Sequence, residues 1–303
     1  MSAVATDAMR YDIGKHGYAA LQPGADLSWG ALAPALGHLH SAALALRAAG
    51  WPPAFVFMLD LAWELVDKLW MPMEGILGEG CAMDPSVFCW IARQPDALNT
   101  GAAEGYSESS QSVGANFGLP HRDFTCDHSI RSRDGSPMML SVWLPLNDVS
   151  AENGCIMVVP RSQDPHFLKR FEKAHPEDSR PAHMRPALPP GNGRLAMEVR
   201  FDLTAVRPLA PLKAGSLVAW VGNLIHWGTS CMPDAGAPPR CALGFNFLAM
   251  GAEPLQEGVP LLTRRDTRSP ELAERLSLIA TSLLAYSTWY SLSGGVLPHD
   301  FFA

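Results

Sequence analysis

The sequence predicts a chain that is mainly β in its centre and carries helices at both ends. Three observations support this: residues 28–49 are rich in Ala and Leu, strand-like apolar runs appear from about residue 114, and Ser269-Pro270-Glu271 is a typical helix start. A length of 303 residues with 48% hydrophobic content allows a sizeable core. We expect one domain over 1–303, with a helical part over about 1–113, a core over about 114–250 and a C-terminal helical part over 251–303.

The helical assignments follow from the spacing of charged and apolar residues. The stretch Ala54–Trp70 has its charged residues on one face, at Asp60, Glu64, Asp67 and Lys68. The remaining positions are apolar, which predicts a helix packed on a larger body. Near the C-terminus, the expected apolar stripe of a further helix consists of Leu272, Leu276, Ile279 and Leu283.

The core is predicted from four strand-like runs bounded by turn residues: Met138–Leu146, Cys155–Pro160, Ser216–Val221 and Cys241–Ala249. The pair Asn153-Gly154 separates the first two runs and is typical of a hairpin turn, so we expect a hairpin there. Residues 161–210 are rich in Pro, His and charge, which predicts an irregular segment and a candidate lid.

Composition and charge argue against several classes of partner. The formal net charge is −7 and no cluster of Lys and Arg resembles a phosphate-binding footprint, so nucleic acid is not expected. The longest apolar stretch, Ala54–Ala62, contains Asp60 and is too short to span a bilayer. The six cysteines are scattered without a CxxC pair, and the N-terminus has no apolar signal region. We therefore expect a cytoplasmic protein with reduced thiols and no membrane partner.

A candidate metal site begins with His121 and Asp123. Residues two apart in a strand project to the same face, so an imidazole and a carboxylate would point together. His226 ends another strand-like run 105 residues later and would supply a third ligand. Two histidines and one carboxylate on one face of an octahedron leave three positions open, which is diagnostic of non-haem iron(II) oxygenases.

A candidate anion site lies at Arg240, fourteen residues after His226. Alternation along 240–247 puts Arg240 on a face otherwise made of Ala242, Gly244 and Asn246. A guanidinium is the natural bidentate partner of a carboxylate, so this cation beside a metal predicts a carboxylate ligand. The alternative is a surface salt bridge at the edge of a strand.

These residues and their surroundings resemble the phytanoyl-CoA dioxygenase-like family of 2-oxoglutarate oxygenases, from about residue 118 to 248. The resemblance is carried by LPHRD, LSVWLPLNDVSAENGCIMVVP, KAGSLVAWVGNLIHWG and PRCALGFNF. It implies a double-stranded β-helix (jelly-roll, cupin-like) core and Fe(II) bound by His121, Asp123 and His226. It also implies 2-oxoglutarate paired with Arg240, and O2 used to hydroxylate a substrate with release of succinate and CO2.

The resemblance also bears on neighbouring positions. Trp143 falls where the family has an aromatic residue lining the cofactor pocket, although plain core packing is an equal alternative. The family often has a hydroxyl residue two positions after the distal His; here that position is Gly228, and Thr229 is the expected substitute. Gly-Ser-His often follows the strand Pro, but this chain has 161–163 as Arg-Ser-Gln. Related halogenases replace the metal carboxylate by Gly or Ala, so Asp123 favours a hydroxylase.

Two other functions are compatible with parts of the pattern. A zinc-type metallohydrolase would use His121, Asp123, Asp127 and His128, and a non-catalytic jelly-roll binding protein would keep the scaffold only. The expected partner is a small-molecule substrate, with candidate contacts at Asp127, His128, Arg131 and Asn223. The identity of the substrate and the oligomeric state stay open at this point.

Overall fold

The computed structural model describes residues 1–24, 27–92, 120–131, 134–168, 184–187, 196–199, 201–232, 234–255 and 258–285. The helices in these ranges are α1 (Ala3–His16), α2 (Ala33–Ala48), α3 (Asp60–Leu77), α4 (Cys126–Ser129), α5 (Arg264–Thr267) and α6 (Leu272–Ala285). The strands are β1 (Tyr18–Leu21), β2 (Ala82–Met83), β3 (Phe88–Ile91), β4 (Met139–Pro145), β5 (Ile156–Val158), β6 (Met184–Ala187), β7 (Ala196–Val199), β8 (Arg207–Leu209), β9 (Leu217–Val221), β10 (His226–Gly228) and β11 (Cys241–Leu248).

Nine of the eleven strands form the two antiparallel sheets of the jelly-roll core. The larger sheet has the order β1-β9-β4-β11-β2, and β3 also pairs with β11. The smaller sheet has the order β10-β5-β8, and β6 pairs with β7 separately. The fold is thus a pair of antiparallel sheets flanked by helices, as the sequence predicts. No helix in the described ranges is both long and apolar enough to cross a bilayer.

All four predicted strands of the core are present, as β4, β5, β9 and β11. The predicted hairpin at Asn153-Gly154 is wrong, because β4 and β5 lie in different sheets and do not pair. The Asn153 side chain instead holds the crossing between the sheets: it accepts from the amide of Ser150 at 2.8 Å and donates to the carbonyl of Asp148 at 2.8 Å. The Asn-Gly pair therefore lies in the connection between the two sheets and does not form a two-residue hairpin turn.

Two further predictions about the core need correction. The N-terminal part is not only helical, since β1, β2 and β3 add to the larger sheet. The segment 161–210 is not irregular throughout, since β6 pairs with β7 and β8 pairs with β5. Pro208 is tolerated in β8 because this strand is the edge of the smaller sheet. Most of the predicted lid lies outside the described residues, so it stays a prediction.

Helix α3 covers one face of the larger sheet. It begins at Asp60, after a 3-10 segment over Pro53–Met58, and not at residue 54 as predicted. Trp70 packs edge-on against Phe247 of β11, with ring centroids 5.1 Å apart. Phe57 meets Phe245 in the same way at 5.7 Å. The bulky face of β11 is thus turned toward the helices, as its alternation predicts, and Gly244 and Asn246 face the other way.

The C-terminal helix α6 follows the predicted start but buries a different face. Ile279 and Leu283 are fully buried, whereas Leu272 and Leu276 are exposed. Arg275 takes a buried place instead, and its guanidinium pairs with Asp60 at 2.6 Å. The buried face of α6 therefore includes Arg275, which is not part of the predicted apolar stripe. The Arg275 guanidinium also donates to the carbonyls of Pro270 and Met58, so its polar atoms are satisfied in this buried position.

The crossing between the sheets gives a prediction about stability. Gly154 has φ +106°, and a Cβ there would overlap Ala92 and lie 3.0 Å from the carbonyl oxygen of Thr229. Gly236 also has positive φ, but an added Cβ would meet nothing within 4 Å. Gly154→Ala should therefore lower the free energy of unfolding by about 1–3 kcal/mol more than Gly236→Ala. Urea denaturation of both variants checks this, and equal losses would contradict it.

Candidate metal centre

The segments that carry the two candidate histidine ligands are joined by their backbones. The amide of His121 donates to the carbonyl of His226 at 3.0 Å, and the amide of His226 donates to the carbonyl of His121 at 2.9 Å. His226 begins β10, which pairs with β5 of the smaller sheet. This reciprocal pair brings together two residues that are 105 positions apart in sequence.

The side chains of His121, Asp123 and His226 converge on one point. The carboxylate oxygen Oδ1 of Asp123 lies 3.4 Å from Nε2 of His121 and 3.5 Å from Nε2 of His226. One ligand atom from each residue lies within 4.8 Å of the others. Imidazole nitrogens and carboxylate oxygens bind divalent metals at about 2 Å, so the three atoms can surround one ion.

The outer atoms of these side chains are held by other groups. Ser141 Oγ and Trp220 Nε1 both donate to Oδ2 of Asp123, at 2.7 and 3.1 Å. Nδ1 of His226 lies 3.0 Å from the carbonyl of Leu224, an arrangement in which the ring donates from Nδ1. Oδ1 of Asp123 and Nε2 of His226 are thus directed to the common point.

The protonation states also suit a cation. Burial alone raises the pKa of Asp123, but the charges of His226 and His121 and the hydrogen bonds from His121 and Ser141 together hold it below its usual range. Burial lowers the pKa of His226 to about 4. A carboxylate and a neutral imidazole at neutral pH are the forms that bind metal without first losing a proton.

The cluster opens into a cavity of about 240 Å³ between the two sheets. The larger sheet contributes Phe88, Trp90, Ser141, Trp143, Trp220, Gly244 and Asn246 to its walls. The smaller sheet contributes Ile156, His226 and Gly228. The walls are mainly aromatic and aliphatic, with polar groups concentrated near the cluster, as is common for sites that bind small molecules.

Arg240 places a buried cation in the same cavity. It is 1% exposed, its Nε donates to the carbonyl of Gly154 at 2.8 Å, and its guanidinium lies 5.1 Å from the centre of the Trp143 ring. Burial lowers its pKa to about 10, so it stays charged at neutral pH. Within the described ranges no carboxylate forms an ion pair with it, which leaves it available to an anionic ligand.

Arg240 and the metal-ligand cluster both contact β4. Trp143, under the guanidinium, lies two residues along β4 from Ser141, which donates to Asp123. Two residues of a strand span about 7 Å. The cation and the cluster thus contact neighbouring positions of one strand and line one cavity.

The structure places the other predicted site residues differently. Trp143 lines the cavity. The Thr229 hydroxyl donates to the carbonyl of Cys155 at 3.1 Å, and Gly228 is the residue that faces the cavity. Asn223 is buried but outside the cavity, and its Nδ2 donates to the carbonyl of Phe167 at 2.6 Å. Asp127, His128 and Arg131 are exposed and do not line it.

This placement separates two of the four residues of the zinc-type alternative, Asp127 and His128, from the other two. In the described part of the chain, the group of metal-binding side chains consists of His121, Asp123 and His226. His128 lies at the surface, where its Nδ1 is 2.8 Å from the hydroxyl of Thr125. Asp127 and His128 therefore do not complete a four-ligand site with His121 and Asp123.

Sequence reasoning missed Ser141, Trp220 and Asn246. Ser141 is a single hydroxyl in an otherwise apolar strand, which is a signal that could have been used. Ser141 is the register partner of Trp220 on one side and of Asn246 on the other, so the three share one face of the sheet. Asn246 is buried and lines the cavity, and its carboxamide makes no hydrogen bond with the described residues.

The chain is similar to known proteins in part of its sequence and in its fold. A family model described as phytanoyl-CoA dioxygenase (PhyH) matches residues 97–230. No curated protein sequence matches the chain. Among solved structures, the apo form of the non-heme monooxygenase ThoJ is similar over 94% of this chain and 98% of its own, with 14% identity and a TM-score of 0.57.

Two further structures are similar. The nickel complex of ThoJ has 13% identity and a TM-score of 0.54, covering 94% of this chain and 99% of its own. The non-heme alpha ketoglutarate dependent epimerase SnoN from nogalamycin biosynthesis has 17% identity and a TM-score of 0.51, covering 89% and 99%. At these identities the structures bear on the fold alone, and they share its two-sheet core. The segment that matches the phytanoyl-CoA dioxygenase (PhyH) model spans His121, Asp123 and His226, so the resemblance to this family includes all three residues of the cluster.

Proposed function

We propose that this protein is an Fe(II)- and 2-oxoglutarate-dependent dioxygenase that hydroxylates a small molecule and releases succinate and CO2. The observation that carries the proposal is the presence of His121, Asp123, His226 and the buried Arg240 in one cavity. Two imidazoles and one carboxylate are the ligands of this class of iron enzyme. The cation beside them supplies what a dicarboxylate cosubstrate needs.

Each residue then has a defined task. His121, Asp123 and His226 would hold the metal, while Ser141 and Trp220 orient the carboxylate of Asp123. Arg240 would bind the distal carboxylate of 2-oxoglutarate. When bound, iron and 2-oxoglutarate supply the oxidising chemistry with O2. The aromatic walls of the cavity exclude water from the reacting groups.

Hydroxylation is favoured over halogenation by Asp123. The carboxylate occupies the third ligand position, which a halide would otherwise take. The similar structures include a monooxygenase and an epimerase, so the fold accommodates more than one outcome. Asp123 therefore supports hydroxylation over halogenation.

The charges of the cavity favour a substrate that is uncharged at its reacting end. Of the described lining residues, Arg122 pairs with Asp164, Asp123 belongs to the metal cluster, and Arg240 is assigned to the cosubstrate. The lining also offers the carboxamide of Asn246, which can donate and accept a hydrogen bond. A small apolar molecule with a hydroxyl or carbonyl group fits these walls.

The central experiment is succinate production from 2-oxoglutarate, screened across a metabolite library of neutral, anionic and cationic compounds. Asp123→Ala should abolish substrate-coupled succinate formation, because it removes one of three metal ligands. Asp7→Ala, at an exposed position, serves as the matched control and should keep full activity. Full activity of the Asp123→Ala variant would refute the proposal.

A binding experiment separates the enzyme from its alternatives. Anaerobic addition of Fe(II) and 2-oxoglutarate to the wild-type protein should produce a weak absorption band in the visible region, since both chelate together. Absence of the band would favour a binding protein without catalysis. Zinc found in the purified protein, with turnover that needs no 2-oxoglutarate, would favour a hydrolase.

The support of the metal carboxylate can be tested separately. Ser141→Ala and Trp220→Phe each remove one donor to Oδ2 of Asp123 and should lower Fe(II) affinity by about 10- to 100-fold. Anaerobic titration calorimetry measures this affinity. Ser162→Ala, on the exposed 161–163 segment, is the control. Unchanged affinity in both variants would show that the two donors do not orient the ligand.

The role of Arg240 predicts a selective effect on the cosubstrate. Arg240→Leu removes a charge-assisted contact of about 2–3 kcal/mol, so KM for 2-oxoglutarate should rise on the order of 100-fold. Arg240→Lys should lie in between, because lysine keeps the charge but not the paired donors. Steady-state kinetics, with thermal denaturation to monitor folding, provides the measurement. A KM equal to that of the wild type would remove the anchor from the proposal.

A further inference from the structure

Arg122 lies between two proposed metal ligands in sequence but is directed to a different set of partners. Its side chain is 4% exposed, and the side chain of its ion-pair partner Asp164 is 2% exposed. The distance from Arg122 Nη2 to Asp164 Oδ2 is 2.7 Å. A charge this deeply buried requires a partner, and here the partner comes from the segment that follows β5.

The guanidinium also contacts the segment that delivers the distal histidine. Arg122 Nη1 donates to the carbonyl of Asn223, which lies three residues before His226. Asn223 in turn donates from Nδ2 to the carbonyl of Phe167, and Asp164 Oδ1 accepts from the amide of His166. These contacts form a closed ring that joins residues 122, 164–167 and 223.

The form of the ion pair argues that its main effect is positional. Arg122 Nη2 lies close to Asp164 Oδ2, but the angle between them is not that of a hydrogen bond. Arg122 Nε has no acceptor among the described residues. A buried ion pair adds little stability compared with apolar residues of similar volume, and a pair with imperfect directionality adds less. The ring nevertheless fixes the side chain that separates His121 from Asp123.

We propose that Arg122 is a positioning residue of the metal centre. Together with Asp164 and the carbonyl of Asn223, it fixes segment 121–123 relative to the segment that carries His226. The two backbone hydrogen bonds between His121 and His226 join the same two segments at one pair of residues. Arg122 adds a second connection between them. The inference rests on the proposed function, because it assumes that the three ligands hold a metal.

The role predicts that loss of the ring weakens the metal centre more than the fold. In the double variant Arg122→Met/Asp164→Leu both charges are removed together, so neither is left buried and unpaired. We expect a thermal midpoint close to that of the wild type. Affinity for Co(II), used as the probe, should fall by about 10- to 100-fold, as is typical when an outer support of metal ligands is lost.

The experiment is an anaerobic titration of the full-length protein with Co(II), followed by its visible absorption bands. These bands report the ligand geometry around the ion, which a purely structural defect in a folded protein would not change. Arg122→Lys should give an intermediate affinity, because lysine keeps the charge but cannot reach both acceptors. Lys213→Ala, which removes an exposed ion pair with Asp148, is the matched control and should bind Co(II) like the wild type.

The outcomes separate this inference from the proposed function. If the wild type binds no Co(II), the proposed metal centre fails and the positioning role fails with it. If the wild type binds Co(II) and the double variant binds with the same affinity and the same bands, only the positioning role is refuted. Should the double variant not fold, Arg122→Lys decides: wild-type affinity would overturn the role, and weaker binding at an unchanged thermal midpoint would support it.

Discussion

The reciprocal backbone hydrogen bonds between His121 and His226 are the constraint on which the site depends. They join a segment outside the main sheets to the first residue of β10, and they set the distance between two ring nitrogens that are remote in sequence. Asp123 can meet both rings only because this pair is in place. The support of Asp123 by Ser141 and Trp220 then connects the cluster to the larger sheet.

Much of this site could be predicted from local patterns. The spacing of the proposed ligands His121 and Asp123 predicts that they project together, and Arg240 is marked by the small residues that are predicted to share its face. The four core strands could also be predicted locally, because each is an apolar run bounded by turn residues. The supports could not be predicted in this way, because Ser141 and Trp220 become neighbours only through the register of β4 and β9, which the sequence of either strand does not contain.

The errors have a similar origin. Asn153-Gly154 has the local chemistry of a hairpin, but tertiary contacts with Arg240 and Pro238 determine its conformation. Thr229 and Asn223 carry suitable functional groups, yet their partners are the backbone carbonyls of Cys155 and Phe167. Thr229 and Asn223 were predicted to face the site because they lie near His226 in sequence, but hydrogen bonds to backbone carbonyls satisfy both side chains.

The link between the sheets has a consequence for the position of the buried cation. The carbonyl of Gly154 accepts a hydrogen bond from Arg240 Nε, and the backbone amide of Arg240 donates to the carbonyl of Asn153. The length of this link is therefore tied to the place of the guanidinium, and an insertion in it would shift the cation. Phe88 and Trp90 lie on the same cavity, on β3, and the amide of Ala92 just after this strand donates to the carbonyl of Arg240 at 2.7 Å. The guanidinium is thus fixed from two sides, by the link between the sheets and by β3. If Arg240 anchors the cosubstrate as proposed, a change of length in either segment would alter the binding of the cosubstrate.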